Sequence, residues 1–191
     1  EQDTAKNIRL KYNTNITNVP EHLITKWSKL KRVQLSCSID AVGDLDRYIR
    51  FPSNWDTIVR NFEVVRQLPN ANVEIHCTVQ MYNILRLENL IKWAIPYGHK
   101  IYFNILNHPD YLNIRCLPEK LKVQTQDILC RYKHLDKVQG IIDYMNAEDW
   151  SDKLLKFYNY TILLDKSRNQ KLEDIVPELM KEVQVSLEGN C

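Results

Sequence analysis

Four short stretches rich in β-branched and aromatic residues alternate with stretches of helical period along the first hundred residues of the chain. The predicted strands are 7–12, 32–40, 72–80 and 100–106. Between them, apolar residues recur every three or four positions, in segments that begin near Pro20, Pro52 and Asn83. Strand–helix–strand units of this kind favour a parallel sheet with right-handed crossovers. The predicted fold class is therefore α/β, with about four parallel strands.

Beyond residue 117 the strand pattern stops and only helical periods follow. One helix is predicted to start at Pro118, and others over 135–145, 149–164 and 172–185, the last with Pro177 inside it or at a kink. We therefore divide the chain into a strand–helix region, 1–117, and a helical extension, 118–191.

Composition excludes several classes of protein. There are 26 basic and 24 acidic residues, a net charge of +2, which argues against nucleic-acid binding. No apolar run approaches the roughly 20 residues needed to cross a bilayer. The five cysteines (37, 77, 116, 130 and 191) are odd in number and widely spaced. That pattern fits a reducing cytoplasm better than a disulfide framework.

The start of the chain suggests that part of the fold precedes it. A four-stranded parallel sheet leaves one edge and one face to cover. The first predicted strand begins within ten residues of Glu1, and the chain does not begin with methionine. We therefore expect Glu1 to be an internal position and further strands to lie upstream.

Polar residues follow every predicted strand, most clearly after the second. There the run Ser36-Cys-Ser-Ile-Asp-Ala-Val-Gly43 leads to Arg47 and Arg50. The carboxyl ends of parallel strands meet at one rim, where ligands usually bind. Hydroxyl and amide groups suit ribose, carboxylate or adenine, and an arginine binds a carboxylate through two hydrogen bonds. The alternative is that these residues only cap helices and fill turns, and for Asp40 the two interpretations are equally weighted.

The common catalytic motifs are absent from the sequence. The five histidines show neither H-x-x-x-H nor H-E-x-x-H spacing, and no P-loop, G-x-G-x-x-G or G-x-S-x-G occurs. With only four glycines, a backbone cradle for phosphate is not expected. We assign no metal ligand and no catalytic residue within this chain.

The order of the strand motifs resembles the radical S-adenosylmethionine (SAM) superfamily. The first strand and its turn, 7–17, are similar to the third barrel strand of that family, with Ile16 where glycine is usual. Segments 33–52, 73–83 and 101–118 are similar to the fourth, fifth and sixth strands with their loops. The Leu164-Asp-Lys-Ser-Arg-Asn169 segment is similar to twitch-type proteins, which carry a shortened SPASM extension.

This resemblance implies half of a partial (β/α)6 TIM-like barrel with a helical extension, binding SAM at the strand ends. Ser38 would face the ribose or methionine part of SAM, and Arg50 its carboxylate. Thr78 or Gln80 and Leu106 or Asn107 would lie near ribose and adenine. The full set of candidate cofactor-binding residues is Asn15, Ser38, Asp40, Arg50, Thr78, Gln80, Leu106 and Asn107.

In that family a 4Fe–4S cluster, held by a C-x-x-x-C-x-x-C loop, cleaves SAM reductively to start hydrogen abstraction from a substrate. Neither that loop nor the Gly-Gly-Glu-Pro-like motif is present here, so both are expected upstream, and the chain itself is expected to be catalytically inert. Cys116, Cys130 and Cys191 have unconvincing spacing for a second cluster. Expected partners are SAM, an electron donor and an unidentified substrate, for which a peptide is one option.

Two other interpretations of the sequence stay open. In one, the chain is a truncated barrel half that binds a peptide without catalysis. In the other, it is an unrelated α/β module that binds a nucleotide at the strand rim. The first predicts a partner that binds without SAM, and the second predicts adenosine affinity without a requirement for iron.

Overall fold

The computed structural model of the chain describes residues 2–98 and 100–189 and contains one four-stranded sheet. Its strands are β1 (Arg9–Thr14), β2 (Arg32–Ser38), β3 (Ala71–Val79) and β4 (Ile101–Ile105), in the order β1-β2-β3-β4. β1 with β2 and β2 with β3 are parallel. β3 and β4 also run in one direction, since Ile75 N donates to Lys100 O and Leu106 N to Val79 O. The predicted α/β class with parallel strands is confirmed, and it is consistent with half of a TIM-like barrel followed by helices.

The helices lie between the strands and after the last one. They are α1 (Gln2–Ala5), α2 (Glu21–Trp27), α3 (Asp44–Ile49), α4 (Trp55–Arg66), α5 (Leu87–Ala94), α6 (Glu119–Leu129), α7 (Val138–Asn146), α8 (Leu154–Arg168), α9 (Leu172–Ile175) and α10 (Pro177–Glu188). Short 3₁₀ turns occur at Ile84–Arg86, Ile95–Tyr97, Asp110–Leu112, Ile114–Cys116, Cys130–Tyr132 and Ser151–Lys153.

The chain divides into two compact units, which we describe separately. Unit 1 comprises Glu1–Cys77 with Ile91–Tyr102, and unit 2 comprises Thr78–Leu90 with Phe103–Cys191. The boundary predicted from the sequence, between 117 and 118, remains a prediction.

In unit 1 the strands have one apolar and one polar face. Along β2, Val33, Leu35 and Cys37 are fully buried, while the alternate residues Gln34, Ser36 and Ser38 are half-buried. Successive strand side chains point to opposite faces, so this alternation sends the polar residues to the opposite side from the core. Fully buried Phe62 and Val65 of α4 add to the unit 1 core.

Helix starts follow the predicted signals closely. Pro20 directly precedes α2, and the Asn54 side chain accepts a hydrogen bond of 2.9 Å from Thr57 N at the start of α4. An asparagine at this position satisfies a backbone N–H that has no partner within the helix.

Two helical predictions need correction. The predicted 172–185 helix is two helices, α9 and α10, because Pro177 has no N–H and restricts the residue before it. Val176 accordingly leaves the helical conformation, with φ −135° and ψ 66°. The predicted 135–145 helix begins only at Val138, after Lys137 with φ 65°. A third difference is α3, a short helix that the sequence pattern did not predict.

In unit 2 the C-terminal helices enclose a core of their own. Phe157, Leu172 and Val183 are fully buried, and the Tyr82 ring lies 5.5 Å from that of Phe157. The Tyr82 and Thr161 hydroxyls are 3.1 Å apart, so these two buried hydroxyl groups satisfy each other within the core. No helix in the described part of the chain is both long and apolar enough to cross a membrane.

Candidate functional site

The loop after β2 carries the charged part of the candidate site in unit 1. Ser38 is the last residue of β2 and is half-buried, and the chain then passes through buried Ile39 and Asp40. Gly43, with φ 63°, makes the turn into α3. A left-handed backbone is easily adopted only by glycine, which explains its use here. The next turn of chain brings Arg50 back towards Asp40.

Arg50 and Asp40 form an ion pair, with 2.8 Å between Arg50 Nε and Asp40 Oδ2. The Asp40 side chain is 5% exposed and that of Arg50 is 27% exposed. The contact does not meet hydrogen-bond geometry at Nε, so its attraction is chiefly electrostatic. Besides Nε, a guanidinium has N–H donors on two Nη atoms, which can bind a carboxylate end-on. The Cys77 thiol donates to Asp40 O at 3.6 Å from the neighbouring strand.

A second acid, Asp46 of α3, lies in the same network. It is 1% exposed, its Oδ2 accepts from the Ser53 hydroxyl at 2.8 Å, and its Oδ1 has no partner among the described residues. Burial raises the pKa of Asp46 to about 6, against the lowering effects of the Ser53 hydrogen bond and the Arg50 charge. The Asp40 charge also raises it. Two buried carboxylates and one guanidinium therefore share this loop.

The turn after β1 contains a strained residue. Ile16 is fully buried and has φ 55°, which is an outlier for a β-branched side chain. Its N–H donates to Thr14 Oγ1 at 2.9 Å, and its carbonyl accepts from Asn61 Nδ2 at 2.8 Å. Asn15, a candidate ligand residue, is exposed, and its Oδ1 accepts from the Thr17 hydroxyl at 2.9 Å. That contact closes a local turn.

In unit 2 the polar residues after β3 form a closed turn. Gln80 N donates to Asn83 Oδ1, and Asn83 Nδ2 donates to Thr78 O, both at 2.8 Å. The Gln80 side chain is almost fully buried, whereas Thr78 is half-buried. The Asn83 side chain thus bridges the backbone of both candidate residues and fixes the end of the strand.

The end of β4 is organised around Asn113, which is fully buried. Its Nδ2 donates to Leu106 O at 2.8 Å and to Tyr144 Oη at 2.9 Å, and its Oδ1 accepts from Arg115 N at 3.0 Å. The Tyr144 hydroxyl in turn donates to Asn107 Oδ1 at 3.0 Å. Arg115 covers the Tyr144 ring at 3.9 Å. Both polar atoms of the Asn113 side chain therefore have partners among the described residues.

The structure therefore brings the candidate residues together in separate groups. Asp40 and Arg50 are in contact, Thr78 and Gln80 are joined through Asn83, and Leu106 and Asn107 are joined through Asn113 and Tyr144. The sequence did not single out Asp46, Ser53 or Asn113. Asp46 was missed because burial of an acid in a short helix produces no periodic sequence pattern. For Asn113, the sequence signal was its position after a strand, among other polar residues.

Three of the four cysteines among the described residues are poor metal ligands. Cys37, Cys77 and Cys116 are fully buried, and burial raises the pKa of Cys37 and Cys116 to about 12 and that of Cys77 well above its ordinary value. Metals bind the thiolate, which is scarce at these pKa values. Within residues 2–98 and 100–189, no three His, Cys, Asp or Glu side chains are grouped to hold a metal ion. Cys191, one of the three thiols considered for a second cluster, lies outside the described residues.

Comparison with known proteins adds one weak likeness. No protein-family model and no curated protein matches the chain. One solved structure, described as "Native anSMEcpe with bound AdoMet", shares 16% identity with it at a TM-score of 0.49. The match covers 81% of this chain and 42% of that one, so the chain spans less than half the length of that protein. A likeness at this level carries no argument about function.

Proposed function

We propose that the chain is the C-terminal part of a radical SAM enzyme and supplies part of its SAM site. In this proposal Arg50 binds the α-carboxylate of SAM and Ser38 faces its ribose or methionine part. The contacts assigned by resemblance to Thr78, Gln80, Leu106 and Asn107, near ribose and adenine, belong to the same proposal. The proposal also includes Asn15 as a cofactor-binding residue and Asp40 as the residue that orients Arg50.

The observation that carries the proposal is the Arg50–Asp40 pair. A buried carboxylate lies 2.8 Å from the guanidinium Nε, and about a quarter of the arginine side chain stays accessible. The pair stands just beyond the carboxyl end of a parallel strand, which is where such sheets bind ligands. A guanidinium held in one orientation loses less entropy when it binds a planar carboxylate.

The conformation of Ile16 gives independent support. The resemblance places Ile16 where the family usually has glycine, and its φ of 55° is a value that glycine adopts without strain. The turn keeps that conformation with a β-branched residue in place of glycine, at a cost of roughly 1–3 kcal/mol. Strained backbone of this kind is concentrated at ligand-binding sites.

The residues present fit SAM better than they fit an iron–sulfur cluster. A sulfonium amino acid joined to adenosine offers a carboxylate and hydroxyls, which match Arg50 and Ser38. The buried thiols have high pKa values and stand in no ligand group among the described residues, so a cluster would need ligands from beyond those residues. When bound, such a cluster supplies the electron that cleaves SAM. This chain's own residues would bind and orient the methionine end of SAM.

The test uses the longest reading frame that contains this chain. Its product is reconstituted anaerobically with iron and sulfide, and cluster formation is followed by visible absorbance and SAM cleavage by chromatography. The proposal expects a four-iron cluster and release of 5′-deoxyadenosine. Absence of a cluster in a folded product would overturn the catalytic proposal. Adenosine or peptide binding in that iron-free product would favour one of the two non-catalytic alternatives.

A further inference from the structure

Helix α8 presents apolar side chains on two sides. It buries Leu154, Phe157 and Thr161 in unit 2, yet Leu155 is 57% exposed and Leu163 is 67% exposed. Ile162 and Tyr160 of the same helix are also exposed. A surface helix ordinarily has a single apolar stripe facing its core. A second stripe on the outside is the pattern of an interaction surface.

The outer stripe lies along an open groove of about 500 Å³. Its lining includes Tyr111, Asp152, Leu155, Asn159, Tyr160 and Leu163. The Tyr111 and Tyr160 rings lie 5.0 Å apart and form one wall. The charge of Lys156 is balanced at this groove, because its ammonium lies 3.2 Å from Asp110 Oδ1 and 4.8 Å from the Tyr111 ring.

The order of residues along this stripe is self-complementary. When two copies of a helix pack antiparallel about a two-fold axis at Asn159, residues equally distant from Asn159 on either side face each other. Leu155 then meets Leu163 of the other copy, four positions away in each direction. Asp152, in the 3₁₀ turn just before α8 and 3.0 Å from Lys153 Nζ, meets Lys166, seven positions from Asn159 on the other side, and the two carry opposite charges. Both charged residues are exposed.

We propose that this face of α8 binds a second copy of the chain in an antiparallel, two-fold symmetric helix pair. The two leucine contacts form its apolar centre, and an Asp152–Lys166 pair closes each end. Asn159 lies on the axis, where a polar residue in an otherwise apolar seam fixes register and strand number. The proposal is independent of SAM binding.

The expected dimer is weak. A 15-residue helix is about 22 Å long, so a single helix pair buries less than the roughly 1,200 Å² typical of a stable interface. We therefore expect dissociation constants in roughly the micromolar range, with exchange between monomer and dimer in solution.

Sedimentation equilibrium of the 191-residue chain over a range of concentrations tests this pairing. L155D is expected to weaken dimerisation at least ~100-fold, since it places carboxylates in the apolar centre. K166D and D152K are each expected to weaken it roughly tenfold, because two like-charge pairs replace two attractive ones. The double variant D152K/K166D restores the wild-type constant, since each pair is reversed but remains complementary.

Matched controls separate this face from general effects of charge. V185D changes another exposed apolar residue, on α10, and D127K reverses an exposed charge on α6, so neither should alter the dimer constant. Circular dichroism melting verifies that every variant stays folded. A wild-type chain that is monomeric up to ~1 mM, a range in which weak interfaces still pair, would overturn the proposal. So would a dimer that persists in L155D, or a charge reversal that the double variant does not rescue.

Discussion

The polar groups of unit 1 and unit 2 follow strand ends in the same way but are satisfied very differently. In unit 2, Asn83 and Asn113 hold backbone carbonyls and neighbouring side chains with neutral hydrogen bonds of 2.8–3.0 Å. In unit 1, buried Asp40 and Asp46 share one arginine, and Asp46 Oδ1 has no partner among the described residues. The unit 2 groups have the pattern of structural turns.

This difference in hydrogen bonding helps to distinguish polar residues that stabilise a turn from polar residues that could bind a ligand. Neutral, mutually satisfied hydrogen bonds stabilise a fold at low desolvation cost. Buried like charges and a β-branched residue at φ 55° destabilise a fold. Proteins retain such features mainly at functional sites. We therefore expect the charged ligand contact of the proposal in the unit 1 loop, and expect Asn83 and Asn113 to hold the strand ends of unit 2 in place.

The largest stability loss is expected from Asn113→Ala. The substitution removes three hydrogen bonds and leaves the half-buried Leu106 carbonyl without its side-chain donor, at a cost of about 3 kcal/mol in the free energy of unfolding. Urea unfolding followed by circular dichroism measures it. The control is Asn107→Ala, which removes one contact from an exposed residue and should cost under about 1 kcal/mol. Equal costs for the two would contradict a structural role centred on Asn113.

The next effect concerns the pH dependence contributed by Asp46. Its folded-state pKa of about 6 lies above the ordinary value of 3.8, so the folded state binds this proton more tightly than the unfolded state. The resulting stability is complete below pH 3.8 and is lost as the pH rises through 6. The full loss is about 2–3 kcal/mol at 1.36 kcal/mol per pKa unit.

The comparison that isolates this contribution is wild type against Asp46→Asn. The unfolding free energy of each protein is measured from pH 4 to pH 8. All groups other than Asp46 should contribute the same pH dependence to both proteins. The wild type should lose an additional ~2 kcal/mol over that range relative to the variant. Parallel curves would show that Asp46 is not held in the buried state described for unit 1.

A smaller effect is expected at the strained turn after β1. Ile16→Gly and Ile39→Gly each remove a fully buried isoleucine that follows a strand of unit 1. Only the first also relieves a positive φ, which is worth about 1–2 kcal/mol. Ile16→Gly should therefore destabilise the chain by about that much less than Ile39→Gly, as measured by urea unfolding. An equal or larger loss at Ile16 would mean that the turn carries no strain.

Most of the sheet could be predicted from the sequence because its signals are local. Strand alternation in β3 and the prolines and asparagines before α2 and α4 act within a few residues of the elements they define. The short helix α3 was not predicted, since six residues contain less than two helical turns and show no period. The break between α9 and α10 was only partly predicted, because the sequence pattern placed Pro177 either inside one helix or at a kink in it.

The candidate site was less accessible to sequence reasoning. The polar residues after each strand could be identified in the sequence, but their partners could not. Asp40 and Arg50, for example, are in contact only because of the conformation of the loop between them. The positive φ of Ile16 is equally invisible in the sequence, although the resemblance marked that position as one where glycine is usual. Pairings across a fold depend on tertiary geometry, which composition and period do not encode.

The decisive measurement is the SAM affinity of Arg50→Gln, by equilibrium titration of the product of the complete reading frame. Arg47→Gln is the matched control, since Arg47 is an exposed arginine of α3, three residues before Arg50. We expect Arg50→Gln to weaken SAM binding at least ~10-fold, equivalent to the loss of a charge-assisted contact, with the control unchanged. Equal SAM affinity in wild type, Arg50→Gln and Arg47→Gln would contradict the assignment of the unit 1 loop as the ligand-binding site.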